Sequence, residues 1–268
     1  MMLSPLVSAW SRPDCRGHEI PSGNDSVFQV GEELTYNVSY AFIDIGQVRI
    51  KVMDRIQKDG KTLYKAMAYI DSYKGVPFVD LHSTYESLVS ESLYSKWFRA
   101  RMKEDDSRWR SFTYDFDYPS DRVLIEVGEE KTQVVDRRDT LSINSLYQDG
   151  LSLFYFARGA VSFPHVTTAP VVVSEKKATT YLDVKNGHKG EKIDAVKYPV
   201  DVTYFEGRGD FVGIFGLTGE FEGWFSSDAA HVPILAKMKV IIGNVRLELM
   251  KWKRAGWDPP QYVEESDK

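Results

Sequence analysis

The chain has 268 residues, of which 43% are hydrophobic, 27% charged and 13% aromatic, enough apolar material for a folded core. Its 34 basic against 39 acidic side chains give a net charge of -5, with no basic footprint for nucleic acid or for an anionic membrane surface. One cysteine excludes an internal disulfide and a cysteine-based zinc cage, and no run of about 18 apolar residues is present to make a transmembrane helix.

At the N-terminus, Met1 to Trp10 is apolar and uncharged, and Val7-Ser8-Ala9 has the small-residue character of a signal-peptidase site. A basic n-region and a longer apolar segment are missing, so the stretch reads either as a clipped signal peptide or as an apolar tail. Cys15 follows Arg12-Pro13-Asp14, unlike the small, apolar surroundings of a lipid-attachment cysteine. Residues 11–26 collect Pro, Gly, Ser, Asn and Asp without periodicity, so 1–26 is expected to be a flexible lead-in.

From Phe28 the texture becomes short segments of period two. Leu34, Tyr36, Val38 and Tyr40 alternate with Thr35, Asn37 and Ser39, the pattern of a half-buried strand. Val48, Ile50 and Val52 repeat it, with Asp44-Ile45-Gly46 expected as the connection. Phe112, Tyr114, Phe116 and Tyr118 form an aromatic stripe offset by Asp115 and Asp117. Further alternation runs from Val196 to Tyr204 and from Val232 to Val240, and Asn186-Gly187 and Gly243-Asn244 are expected to turn hairpins.

One segment predicts a helix, over 149–158. Asp149 is placed to accept early N–H groups, Leu151, Leu153, Phe154, Tyr155 and Phe156 follow, and Gly159 stands where a left-handed C-terminal residue is wanted. So apolar a helix must pack on or inside the sheet. Pro259-Pro260 and the acidic Glu264-Glu265-Ser266-Asp267 mark 256–268 as a disordered tail. The expected architecture is mostly antiparallel β, as a single curved sheet, open barrel or sandwich with one main packed helix. Residues 27–255 are expected to form a single β-rich domain.

The order of these segments resembles the bacterial family known as domain of unknown function 3108. Phe28 to Tyr36, then Val38-Ser39-Tyr40 and Gly46, are similar to that family's first two strands. Asp149 to Arg158 resembles its central helix, which usually ends in an Arg. Gly223-Trp224-Phe225-Ser226-Ser227-Asp228, Val232-Pro233-Ile234, Gly243-Asn244-Val245 and Leu247-Glu248-Leu249 resemble its last three strands. The resemblance spans about residues 28 to 250. It implies export by Gram-negative bacteria and a largely antiparallel fold, similar in shape to curved-sheet envelope proteins that hold lipid or acyl chains. No activity is established for the family, so no catalytic residue is carried over, and the usual complete signal peptide is not seen in this sequence.

The search for chemistry returns mostly structural readings. The five histidines do not stand at ligand spacing, and no Gly-x-Ser-x-Gly elbow or phosphate loop occurs, so no metal and no cofactor is expected. Asp115 with Asp117, and Glu220 with Glu222, share strand faces at a separation of about 7 Å, a spacing that can serve glycoside hydrolysis. Both pairs read better as the wet faces of amphipathic strands. The 6 Trp, 15 Tyr and 14 Phe either fill a core or line an apolar groove. Asp228 is expected to cap a turn with Trp224 covering the barrel end; alternatively the turn is the mouth of a ligand site, with Arg158 as counter-charge.

The expected function is a non-catalytic exported binder or carrier of lipid-like or apolar ligands, with Tyr36, Tyr40, Phe154, Arg158, Trp224 and Asp228 as candidate ligand-binding residues. The alternatives are an envelope hydrolase acting on glycan or peptide through Asp and Glu pairs, and a structural or assembly protein. Expected partners are an apolar small molecule or lipid, or an envelope protein. Expected localisation is periplasmic or outer-membrane-associated if the N-terminus is a truncated signal peptide.

Overall fold

A computed structural model describes residues 27–76, 80–162, 165–212, 218–239 and 243–264. Among the described residues, period-two alternation becomes one antiparallel sheet of fourteen strands around a single α-helix. The first eight strands form a meander: β1 Glu33–Tyr40, β2 Ile43–Lys58, β3 Lys61–Ser72, β4 His82–Ser90, β5 Ser95–Lys103, β6 Trp109–Asp117, β7 Arg122–Glu129 and β8 Val135–Ser142. Helix α1, Ser152–Ala160, then leads into a second meander: β9 Val166–Val173, β10 Lys176–Glu191, β11 Val200–Val212, β12 Thr218–Ser226, β13 Pro233–Lys239 and β14 Asn244–Lys253. Pairing of β14 with β1 joins the two meanders, and the sheet ends at β8 on one side and β9 on the other.

The sheet is not closed between those two strands, and each edge is managed differently. Pro170 offers no N–H to a foreign strand, and Gln148 bridges β9 by donating to the Pro170 carbonyl and accepting from the Val172 N–H. β8 carries the charged run Asp136-Arg137-Arg138-Asp139, all exposed. Arg137 pairs with Glu175 in the β9–β10 turn, and Lys177 Nζ reaches the Ser142 carbonyl at 2.9 Å, so the two edges are tethered.

Helix α1 touches both β4 and β9, which lie far apart in strand order, so the sheet must wrap around it. Seven of its nine residues are buried. The chain just before β1 joins the same interior: the Phe28 ring stacks on Tyr64 at 4.3 Å and on Tyr155 of the helix at 4.8 Å. Leu34, Tyr36 and Val38 of β1, Val48, Ile50 and Val52 of β2, and Tyr114 and Phe116 of β6 are buried as their alternation requires. Tyr40, Phe112 and Tyr118, at the ends of those stripes, are half-buried.

Four sequence expectations are corrected. The β1–β2 connection is Ala41-Phe42; Asp44, Ile45 and Gly46 belong to β2, where a Gly46 side chain would strike the Asp71 carbonyl. Asn186-Gly187 turns no hairpin but lies in an irregular stretch of β10, with Gly187 at φ +90 where the register shifts. Helix α1 begins at Ser152 and continues through Gly159 to Ala160, because a helix this buried is held by packing more than by propensity. The segment from Gly256 to Tyr262 is packed, although 256–268 reads as a tail. Trp257 meets Trp252 edge-on at 6.1 Å, the Asp201 N–H donates to the Pro260 carbonyl at 2.7 Å, and the Tyr262 N–H donates to the Pro199 carbonyl at 2.9 Å. The two prolines lower the entropy that ordering this segment costs. The N-terminal reading of 1–26 lies outside the described residues.

Candidate functional site

Two buried polar anchors stand in the largely apolar interior around α1, one at each end of the helix. At its C-terminal end, Arg158 is fully buried and grips Glu32 with two prongs, Nη1 to Oε1 at 2.6 Å and Nη2 to Oε2 at 3.1 Å. Nη2 also donates to the Ala230 carbonyl at 2.9 Å, and Arg254 donates to Glu32 Oε2 from the end of β14. Burial opposes the charge on Arg158, but Glu32 outweighs it and raises the guanidinium pKa. Beside this pair the hydroxyls of Tyr36 and Tyr155 and the Nε of Arg158 are buried with no hydrogen-bond partner among the described residues. Burial pushes both phenols up, against the opposing pull of Arg158.

At the other end, Asp149 is fully buried and accepts four hydrogen bonds. Ser87 Oγ and Ser95 Oγ donate to Oδ2 at 2.6 and 2.5 Å, and the N–H groups of Leu151 and Ser152 donate to Oδ1 at 2.7 and 2.8 Å. Asp149 therefore satisfies early helix donors as its sequence position suggests, and also pins the helix start to β4 and β5. Burial raises its carboxyl pKa, and the four donors oppose that rise.

The structure brings Tyr36, Phe154 and Arg158 together, with the Arg158 guanidinium carbon 5.9 Å from the Phe154 ring centroid. It joins Asp228 to them through one residue: the Ala230 N–H donates to Asp228 Oδ1 at 3.1 Å while its carbonyl accepts from Arg158. Asp228 also accepts from Ser226 Oγ at 2.8 Å and Trp257 Nε1 at 2.6 Å. Tyr40 lies apart, at the far end of β1 beside Gly243. Trp224 is apart as well, on the face of β12 opposite Gly223 and Phe225, with Lys189 and Lys237 ammonium groups 5.0 and 4.9 Å from its ring. Glu32 and Arg254 carry no local sign of partnership, since Gly31-Glu32-Glu33 and Lys253-Arg254 look like solvated charge.

The family described as "Protein of unknown function (DUF3108)" matches residues 35–250, most of the chain and both meanders. The chain belongs to the DUF3108 family. A solved structure of a beta-barrel-like protein of domain of unknown function DUF1849 from Brucella abortus is similar to this DUF3108 protein with a TM-score of 0.59 at 10% identity, covering 85% of this chain and 98% of that one. At that identity the likeness is one of fold. A putative exported protein with YmcC-like fold from Bacteroides fragilis aligns at a TM-score of 0.36 and 9% identity, over 84% of this chain and 97% of that one. No curated protein matches the sequence.

The DUF3108 sheet also carries an open cleft of about 560 Å³ on its β10–β14 half, walled by Tyr181, Asp183, Glu206, Arg208, Glu220 and Lys237 among others. Several of its charges are paired. Lys239 Nζ contacts Glu220 Oε2 at 2.8 Å and holds that carboxyl below its usual range, while Lys185 Nζ bridges Asp183 at 2.5 Å and Glu206 at 3.2 Å. On the other half, Ser120 and Arg122 hold Asp117 low. Glu220 and Asp117 are thus engaged in exposed ion pairs with Lys239 and Arg122. Among the described residues no three His, Cys, Asp or Glu side chains converge as metal ligands, and none of the described helices is long and apolar enough to cross a membrane.

Proposed function

We propose that the protein is an exported, non-catalytic envelope protein that accommodates an apolar, lipid-like ligand on the helix-facing side of its wrapped sheet. One observation carries this reading. The interior is ring-rich and is covered by α1, an element outside the sheet that is fixed by polar anchors at its ends and by aromatic packing between them. Phe28, Tyr64 and Tyr155 stack in that middle region, with Phe154 set edge-on against Tyr155 at 5.2 Å. An acyl chain lying between helix and strands would exchange ring contacts for ring contacts at little cost in apolar burial. The unpartnered hydroxyls of Tyr36 and Tyr155 offer hydrogen bonds to a polar head group, since buried polar groups are ordinarily satisfied. Export to the periplasm or outer membrane belongs to the same reading.

Native mass spectrometry of the full chain isolated from a Gram-negative envelope tests it. A retained apolar adduct that organic extraction releases is expected, together with uptake of a fluorescent fatty acid by the extracted protein. A clean mass with no uptake overturns the reading.

A further inference from the structure

The tip of the first hairpin is built against ordinary turn chemistry. Tyr40 pairs with Ile43, so the connection is the two residues Ala41 and Phe42, both left-handed at φ 46 and 70. Such turns favour Asn, Asp and Gly, because a side chain at positive φ crowds the backbone. Here the second position holds a phenylalanine that is fully exposed, followed by Ile43 at 62% exposure. A large ring thus stands where both backbone and solvent disfavour it.

The tip is also braced. Asn37 Nδ2 donates to Asp44 Oδ1 at 2.6 Å, the Tyr73 hydroxyl donates to Asn37 Oδ1 at 3.1 Å, and the Tyr73 N–H donates to the Ile45 carbonyl at 3.0 Å. Behind the apolar point stand half-buried Tyr40 and Tyr73 and exposed Lys74. Apolar at the point, tyrosine and lysine behind it: this is the order in which side chains meet a bilayer from hydrocarbon to head group.

We propose that Phe42 and Ile43 form an insertion tip that seats this protein on the surface of a phospholipid bilayer. Area decides between a lipid phase and a protein partner. Two side chains of roughly 150–200 Å² each fall well short of the ~800 Å² per partner that a stable protein interface needs. A fluid acyl layer demands no complementary surface, and a convex point suits it. With a net charge of -5 the chain has no general attraction to anionic lipid, so the contact is apolar and insensitive to salt. By strand rise the tip lies roughly 25–30 Å along β1 from Glu32. The inference is therefore independent of ligand binding around α1.

Flotation of the full chain with vesicles of phosphatidylcholine and phosphatidylethanolamine tests it. The protein should float with the vesicles in both low and high salt. Phe42→Gly, which suits the positive φ, should keep the fold and melting temperature and lower the partition coefficient about 30-fold, the equivalent of about 2 kcal/mol for one buried ring. Phe42→Trp should retain binding. Failure of the unaltered protein to float, flotation lost in high salt, flotation unchanged in Phe42→Gly, or flotation lost in Phe42→Trp overturns the proposal. So does lipid-free self-association that Phe42→Gly abolishes, which would make a second copy the occupant.

Discussion

Glu32 and Arg158 stand 126 positions apart in the chain and meet in a buried, two-pronged ion pair that ties the end of the helix to the start of the sheet. Arg254 joins Glu32 from just past the last strand, so the pair sits where the two meanders meet. Arg158→Met should destabilise the protein by about 3–5 kcal/mol, because Glu32 stays buried with one of its cations removed. Adding Glu32→Gln to Arg158→Met should recover part of that loss, since the half-paired carboxylate is then gone while an amide oxygen can still accept from Arg254. Urea denaturation of the two single variants and the double variant reads the coupling. Strict additivity would mean that the two side chains do not act as a pair.

Asp149 gives the helix its second anchor and raises a different question, that of unsatisfied donors. Replacing it with alanine strands the Ser87 and Ser95 hydroxyls and the N–H groups of Leu151 and Ser152 in the interior. Asp149→Ala should cost about 3–4 kcal/mol at neutral pH. Asp149→Asn should cost less, because its oxygen still accepts from the two N–H groups and the serine hydroxyls can rotate to accept from its amide. Thermal or chemical denaturation should place Ala below Asn; the reverse order would show that the carboxylate's shape and charge matter more than its accepted hydrogen bonds.

The fold was legible because half-buried strands write their period directly into side-chain hydropathy, as in Leu34-Tyr36-Val38 and Tyr114-Phe116. The helix was legible for a related reason: Leu151, Leu153, Phe154, Tyr155 and Phe156 put large apolar side chains on most of its circumference, which suits a buried helix. Turns were harder to read. Ala41-Phe42 carries none of the residues that announce a left-handed turn, while Asn186-Gly187 carries both and sits within a strand. The site was legible in its named halves only. Arg158 and Tyr36 could be singled out from their surroundings, but Glu32 and Arg254 become their neighbours through the wrapping of the whole sheet, a long-range property with no local pattern.

His231 should make stability depend on pH in a definable direction. Burial lowers its pKa from the ordinary 6.5, with the Ser226 backbone and Asp228 pulling upward and Arg158 downward. The unfolded chain therefore takes up a proton near pH 6.5, whereas the folded one takes it up only at lower pH. In that window the unfolded state binds more protons, so stability is full above about pH 6.5 and falls as the medium is acidified. Asn tolerates the left-handed backbone here, φ 42, so His231→Asn should fold normally. The melting-temperature drop between pH 7.5 and 5.5 should be smaller in His231→Asn than in the unaltered protein. Equal drops would place the pH response elsewhere.

Two glycines on adjacent strands are sheltered by rings in a reciprocal arrangement. In the β11–β12 register Phe205 faces Gly223 and Gly207 faces Phe221, so each ring lies over the glycine of the opposite strand. A Cβ built at Gly223 would lie 1.9 Å from Phe205 Cε1, and one at Gly207 would lie 2.2 Å from Phe221 Cε2. The two contacts differ in what can yield. Phe205 is buried and locked against Phe225 at 4.9 Å, whereas Phe221 is only partly buried and can swing outward. Gly223→Ala should therefore cost about 2–3 kcal/mol through overpacking, and Gly207→Ala distinctly less. Combining Gly223→Ala with Phe205→Leu should restore part of the lost stability, because the smaller side chain vacates the space the methyl needs. Denaturation midpoints for the three variants decide the matter, and a Gly207→Ala cost equal to that of Gly223→Ala would show that the two rings yield equally to an added methyl.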